Sequence, residues 1–210
     1  MIVSFDDFLP EVLPDVIGCP DAQAVIAIRN AAIDFCKRGN FWKEALDPLT
    51  TAANVSTYDL DSPVNGARVV QVMTLFLDGD QIHPRTEEWL DAHEEAWRTY
   101  ANVPKWFFQP TPDLLTLARV PDGVYTLTGT VSLAPTRKST GVEQFVYENY
   151  LETIASGAKA RLLAIPKKPW SDAGLAAYHG GRFDSGIASA SVESAKGFSR
   201  APIRTTPYNR

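Results

Sequence analysis

Residues 140–166 read TGVEQFVYENYLETIASGAKARLLAIP. Tyr147, Leu151, Ile154, Ala158, Leu162 and Ile165 recur at three- and four-residue spacing, which places them on one face of a long helix. Thr140 and Glu143 have the spacing of a capping box at its start, and Pro166 marks its end. A stripe this long has to be covered by other helices, so the segment predicts a helical core.

The sequence on both sides supplies the partners. Upstream, PDAQAVIAIRNAAIDFCKRGN (20–40) repeats the pattern with Val25, Ile28, Ala32 and Phe35. Pro20 suits a first turn, and Gly39 follows Lys37 and Arg38 as a stop. The next residues, FWKEAL (41–46), read as a second short helix, with Phe41 and Trp42 in the core. Downstream, IPKKPW breaks the chain, Ser171 can cap a restart, and DAGLAAYHGGRFDSGIASASVESAKG (172–197) runs to Gly197. Its many Gly, Ser and Ala residues lower intrinsic helicity, so close packing on a neighbour must stabilise it.

Between these helices the period changes. STYDLD, RVVQVMTLFLDGDQIHP and DLLTLARVPDGVYTLTGTVSLAP are short apolar runs separated by turn residues. Asp78-Gly79 signals a hairpin, and Asp122-Gly123 repeats the logic, so a small antiparallel sheet is expected. Inside it RTEEWLDAHEEAWRTY (85–100) reads as an amphipathic helix with Trp89, Ala92, Ala96 and Tyr100 on one face, Leu90 and Trp97 flanking it, and acids on the other. The resulting expectation is an α+β, mainly α protein: a helical bundle from 1–52 and 136–197, an inserted antiparallel β subdomain over 53–135 and an extended tail over 198–210.

Composition restricts the chemistry. A chain of 210 residues, 45% hydrophobic and 21% charged, has the balance of a folded globular body. Its net charge of −5 includes +4 from Lys196, Arg200, Arg204 and Arg210, leaving −9 on residues 1–195. An acidic body is a poor grip for phosphates. Cys19 and Cys36 read as reduced structural thiols, and the acidic opening MIVSFDDFLPEVLPDVIG lacks the cationic start of a secretory signal. No apolar run approaches 18 residues, so no membrane span is expected.

Motifs for nucleotide binding, a nucleophile elbow or a zinc ribbon are missing. HEEAW resembles the start of a zinc-protease helix, but Trp97 stands where the second histidine belongs. The carboxylate pairs Asp6 and Asp7, Glu87 and Glu88, and Glu94 and Glu95 suit solvated faces better than acid–base chemistry. No catalytic, cofactor or metal residue is therefore assigned. Trp106, Phe107 and Phe108 in NVPKWFFQP (102–110) have two readings, a ligand or partner surface or a cap on the sheet.

FCKRGNFW, TYDLDSPVNGARVVQVMTLFLDGDQIHP, PKWFFQPTPDLLTLARVPDGVYTLTGTVSLAPT and VYENYLETIASGAKARLLAIPKKPWSDAGLAAYHGGRF occur in that order. This order, and the GAKARLLAIPKKPWSD corner above all, resembles the head-to-tail adaptor (connector) proteins of tailed bacteriophages, the tail tubular protein A type among them. The resemblance implies a non-enzymatic virion protein at the neck, forming a homo-oligomeric ring, dodecameric in such proteins, between the portal protein and a tail or nozzle protein, with genomic DNA passing through. It also gives the basic tail a use: Arg200, Pro202, Ile203, Arg204, Pro207, Tyr208 and Arg210 would dock on the portal. The rival readings are another neck component, such as a tail-completion or head-closure protein, and a phage-encoded hydrolase working through a carboxylate pair.

Overall fold

The computed structural model describes residues 1–197. The chain forms two compact units, one from Met1–Phe41 together with the chain from Pro135 onward, the other from Trp42–Ala134. The expected tail residues Arg200, Pro202, Ile203, Arg204, Pro207, Tyr208 and Arg210 lie outside the described residues.

In the first unit, β1 (Ile2–Ser4) pairs antiparallel with β9 (Gly141–Glu143), and short turns of helix, including α1 (Leu9–Val12), follow β1. Gly141 is required there, because a Cβ would sit 2.0 Å from the Val3 carbonyl oxygen. Three long helices complete the unit: α2 (Asp21–Gly39), α4 (Gln144–Leu163) and α5 (Ala173–Ala195). All three match segments read as helical from their spacing. Helix α2 buries Ala24, Ala27, Ile28, Ala31, Ala32, Phe35 and Cys36, and Asn40 takes the left-handed conformation that ends it.

Helix α4 departs from its expected start. Glu143 makes no side-chain cap; instead the Gln144 N–H donates to the Met1 carbonyl at 2.8 Å, so a strand rather than a capping box precedes the helix. Tyr150 has non-helical angles (φ −131°, ψ 16°), and the buried face shifts across this kink. Tyr147 and Leu151 are half-buried, whereas Ile154 to Lys159 are buried without a break.

Close packing of α5 on α4 is what the small residues provide. A Cβ at Gly157 would lie 2.6 Å from the Phe183 ring, and one at Gly186 would lie 2.3 Å from Thr153. Asp172, one residue beyond Ser171, is the N-cap, accepting the Leu175 N–H at 2.9 Å. Ser171 secures the preceding turn by accepting the Lys168 N–H and donating to the Ile165 carbonyl. Gly197, with φ +63°, closes the helix where the sequence places its stop.

The second unit overturns the expected fold class. Its seven strands form one mixed sheet in the order β2 (Lys43–Thr50), β8 (Thr126–Pro135), β4 (Ala67–Leu77), β5 (Asp80–Pro84), β6 (Trp106–Thr111), β7 (Leu114–Ala118), β3 (Thr57–Asp59). Among the described residues the protein is therefore a large sheet with five α-helices, not a helical bundle with a small antiparallel insert. Three local readings led the other way. FWKEAL is not helical: Lys43 to Thr50 pair with β8 as an edge strand, interrupted by an irregularity between Leu46 and Leu49 around Pro48. Asp122-Gly123 is not a hairpin turn, because β7 and β8 are not neighbours in the sheet. Finally, β5 and β6 run parallel, with His83 opposite Trp106, so the sheet is not antiparallel throughout.

The hairpin at Asp78-Gly79 does form. Both residues have positive φ, +48° and +96°, and Leu77 pairs with Asp80 across the two-residue turn. The helix expected over 85–100 is shorter, α3 (Glu87–His93), with Thr86 accepting the Trp89 N–H as its cap. Ala96, at φ +54°, turns the chain, and Trp97 folds back so that its indole N–H donates to Asp91 at 2.9 Å. Consequently Leu90 and Trp97 are the buried side chains of this segment, while Ala92, Ala96 and Tyr100 face solvent.

Candidate functional site

The aromatic run 106–108 alternates as a strand must. Phe107 is buried, and Trp106 and Phe108 are half-buried. Phe108 packs edge-on against Trp97 at 5.5 Å, and Trp106 meets Trp89 at 5.8 Å, so the run fixes α3 to the sheet. Arg119 stacks over Trp106 at 5.4 Å and pairs with Glu94 at 3.1 Å.

Trp106 also forms part of a groove of about 500 Å³. Its apolar lining comes from Leu77 and Ile82 of the β4–β5 hairpin, from Val103, Pro104 and Trp106, and from Tyr125 just before β8. The sequence reading pointed to the 102–110 stretch; the structure shows it packing α3 on the sheet and lining this groove. Leu77 and Tyr125 carried no sequence signal as lining residues, because the strand order alone brings them together.

The polar groups of the groove are sorted along its length. At the hairpin turn stand Asp78 and Asp80, with Asp78 accepting the Thr126 N–H at 2.7 Å. The Tyr125 hydroxyl donates to Asp122 at 2.5 Å, and this bond with the neighbouring carboxylates raises the phenol pKa. Lys105 and His83 lie at the other end, beside the parallel β5–β6 pair. One end of the groove therefore carries carboxylates and the other the Lys105 ammonium.

In the helical unit the buried charges are paired. Lys159, on α4, donates to Asp15 at 2.7 Å and lies 3.9 Å from Glu11. His179, on α5, has Nε2 3.9 Å from the same Asp15 carboxylate, while its buried Nδ1 has no hydrogen-bond partner among the described residues. Burial pushes the His179 pKa down, Lys159 and Arg182 add to the fall, and Asp15 opposes it. Asp34 accepts from Arg161 at 2.7 Å, and Arg38 reaches Asp184 at 2.8 Å, linking α2, α4 and α5.

One member of each carboxylate pair weighed as catalytic is engaged by a neighbouring side chain. Glu87 accepts from Arg98 at 2.7 Å, Glu94 from Arg119, and Asp6 from the Ser4 hydroxyl. Asp91, hydrogen-bonded by Arg98 and Trp97, is held below the usual carboxylate range, the opposite of a general acid's requirement. Cys19 and Cys36 are free and buried, and burial pushes both thiols up. Among the described residues no group of His, Cys, Asp and Glu side chains is placed to hold a metal ion, and no helix is long and apolar enough to cross a membrane.

The chain belongs to the SU10 adaptor protein family, whose model matches residues 4–206, nearly the whole chain and past the last described residue. It is thus an adaptor-type structural protein of a bacteriophage virion. No curated protein matches it.

Proposed function

We propose that this protein is a head-to-tail adaptor: copies of it form a ring, dodecameric in the adaptors it resembles, between the portal and a tail or nozzle protein, and DNA passes through that ring. The observation that supports this reading most is the family match, which spans both units and continues to residue 206. The acidic balance of residues 1–195, −9, suits a channel that must let phosphates slide.

In this reading residues 198–210 are the portal-binding arm. Arg200, Arg204 and Arg210 supply charge-assisted contacts, Ile203 and Tyr208 the apolar anchors, and Pro202 and Pro207 limit the entropy lost on docking. The test is native mass spectrometry of the protein mixed with its purified portal. The full chain should add stoichiometrically to the portal ring, and Arg200→Glu/Arg204→Glu/Arg210→Glu should not. Equal addition by both would remove the arm from the interface, and addition by neither would remove the portal as partner.

A further inference from the structure

The parallel pair in the middle of the sheet is incomplete. Strands β5 and β6 share only two register positions, His83 with Trp106 and Pro84 with Phe107. Before those positions the two stretches of chain are unpaired, and the groove lies between them, with Asp80 to His83 on one side and Val103 to Trp106 on the other. Successive side chains of a strand point to opposite faces of its sheet. Four consecutive lining residues of β5 therefore mark a gap along the edge of that strand, not a hollow on one face.

Main-chain groups open into this gap. The two-residue turn makes Leu77 and Asp80 a bonded pair, and bonded pairs alternate along an antiparallel ladder, so Gln81, opposite Phe76, turns its N–H and C=O away from β4. Both groups find no partner among the described residues. The facing rim has no donor for them: Pro104 lacks an N–H, the Val103 N–H goes to Asn102 Oδ1 at 2.8 Å, and the Lys105 N–H goes to the Ala118 carbonyl at 3.3 Å. An unpaired strand edge flanked by apolar side chains is a template for another extended chain. From Asp80 to His83 the edge measures about 10 Å, at about 3.3 Å per residue, enough for roughly three or four residues of a partner.

Side chains restrict what that partner is. Asp80 and Lys105 are exposed, have no ion-pair partner among the described residues and stand at opposite ends of the gap, with Asp78 beside Asp80. Between them Ile82, Trp106 and Tyr125 supply apolar surface. We infer that the gap between β5 and residues 103–105 takes an extended segment of another virion protein. The segment pairs with the Gln81 peptide groups, packs an apolar side chain on Trp106 and sets a lysine or arginine against Asp78 and Asp80. A carboxylate at that end would meet like charges, whereas at the other end it meets Lys105. Only the partner's origin in the virion rests on family membership; the docking itself requires neither portal nor ring.

The probes are acetylated, amidated heptapeptides KTXTXTE, with each X valine, isoleucine, leucine, phenylalanine, tyrosine or tryptophan. They are titrated into the full chain while amide hydrogen exchange is followed by NMR. At least one member should bind with a Kd below about 1 mM. It should slow exchange of the Gln81 amide about tenfold or more, while the Ile82 amide, already bonded to β4, changes little. Asp80→Lys, checked for an unchanged melting temperature, should weaken that binding about fivefold or more, because an attractive contact becomes repulsive. Binding by no member, binding that leaves Gln81 exchange unchanged, or binding indifferent to Asp80→Lys would overturn the inference. So would a Gln81 amide that is protected in the peptide-free protein and loses protection on dilution, since the occupant is then a second copy. None of these results bears on the portal experiment, which reads residues 198–210.

Discussion

The two units reach stability by different routes. In the helical unit the backbones of α4 and α5 approach so closely that glycine is needed at Gly157 and Gly186, and the remaining volume is filled by rings: Phe35 lies 4.5 Å from Phe41, 5.0 Å from Tyr150 and 6.3 Å from Phe183. In the sheet unit α3 buries Leu90 and Trp97 against Ala118, and toward the surface Trp89, Trp106 and Trp97 lie under the guanidinium groups of Arg85, Arg119 and Arg98. A packed interior resists any change in volume, whereas exposed cation–ring and ion-pair contacts are individually weak. The sheet unit can therefore vary its surface at small cost, and the helical unit cannot vary its helix contacts.

Phe35→Ala should break this contrast at its strongest point, removing a fully buried ring at a cost of about 3–5 kcal/mol in urea denaturation. A loss below about 1 kcal/mol would mean that the helices repack easily. Gly157→Ala comes next, at about 1–3 kcal/mol, because the new methyl group meets the Phe183 ring. Its control is Gly181→Ala on the exposed side of α5, where nothing lies within 4 Å; that change should stabilise by up to about 1 kcal/mol through helix propensity.

Acidification should separate the units too. His179 has a folded pKa below its ordinary 6.5, so the unfolded chain takes the proton first. Its stabilising contribution is complete above pH 6.5 and is lost as pH falls from there toward the folded value. Denaturation curves at pH 7.5 and 5 should show this loss in the wild type and a smaller one in His179→Gln. Equal losses would place the sensitivity elsewhere. The smallest effect belongs to the sheet unit's surface: Arg98→Ala, although it removes contacts to both Glu87 and Asp91, should cost no more than about 1 kcal/mol, because that network is exposed. A larger loss would erase the contrast.

The same difference explains what the sequence revealed. Helices α2, α4 and α5 have local signals: periodic apolar residues, the stop at Gly197, and small residues that demand close packing, although α2 ends on left-handed Asn40, one residue past the Gly39 read as its stop. The Asp78-Gly79 turn is equally local. Strand β2 is not, since KEALDPLT has neither alternation nor strong strand formers and is extended because β8 lies beside it. The parallel β5–β6 pair and the separation of β7 from β8 are long-range choices that no turn residue announces. The groove follows this pattern: Val103 to Trp106 belong to an apolar cluster visible in the sequence, while Leu77 and Tyr125 arrive through strand order. The Lys159–Asp15–His179 cluster had no signal, because a lysine within a helix's apolar stretch reads as solvated until its partner is seen.

The helical unit is discontinuous along the chain, and the sheet unit fills the gap. Trp42 and Leu133 stand side by side at its entrance and exit, with the Leu133 N–H donating to the Trp42 carbonyl at 2.8 Å. During synthesis the sheet unit can close on itself as soon as β8 leaves the ribosome, whereas β1 and α2, made earlier, must wait for β9, α4 and α5. Helix α2 thus completes its packing only once α4 and α5, made after the whole sheet unit, have emerged.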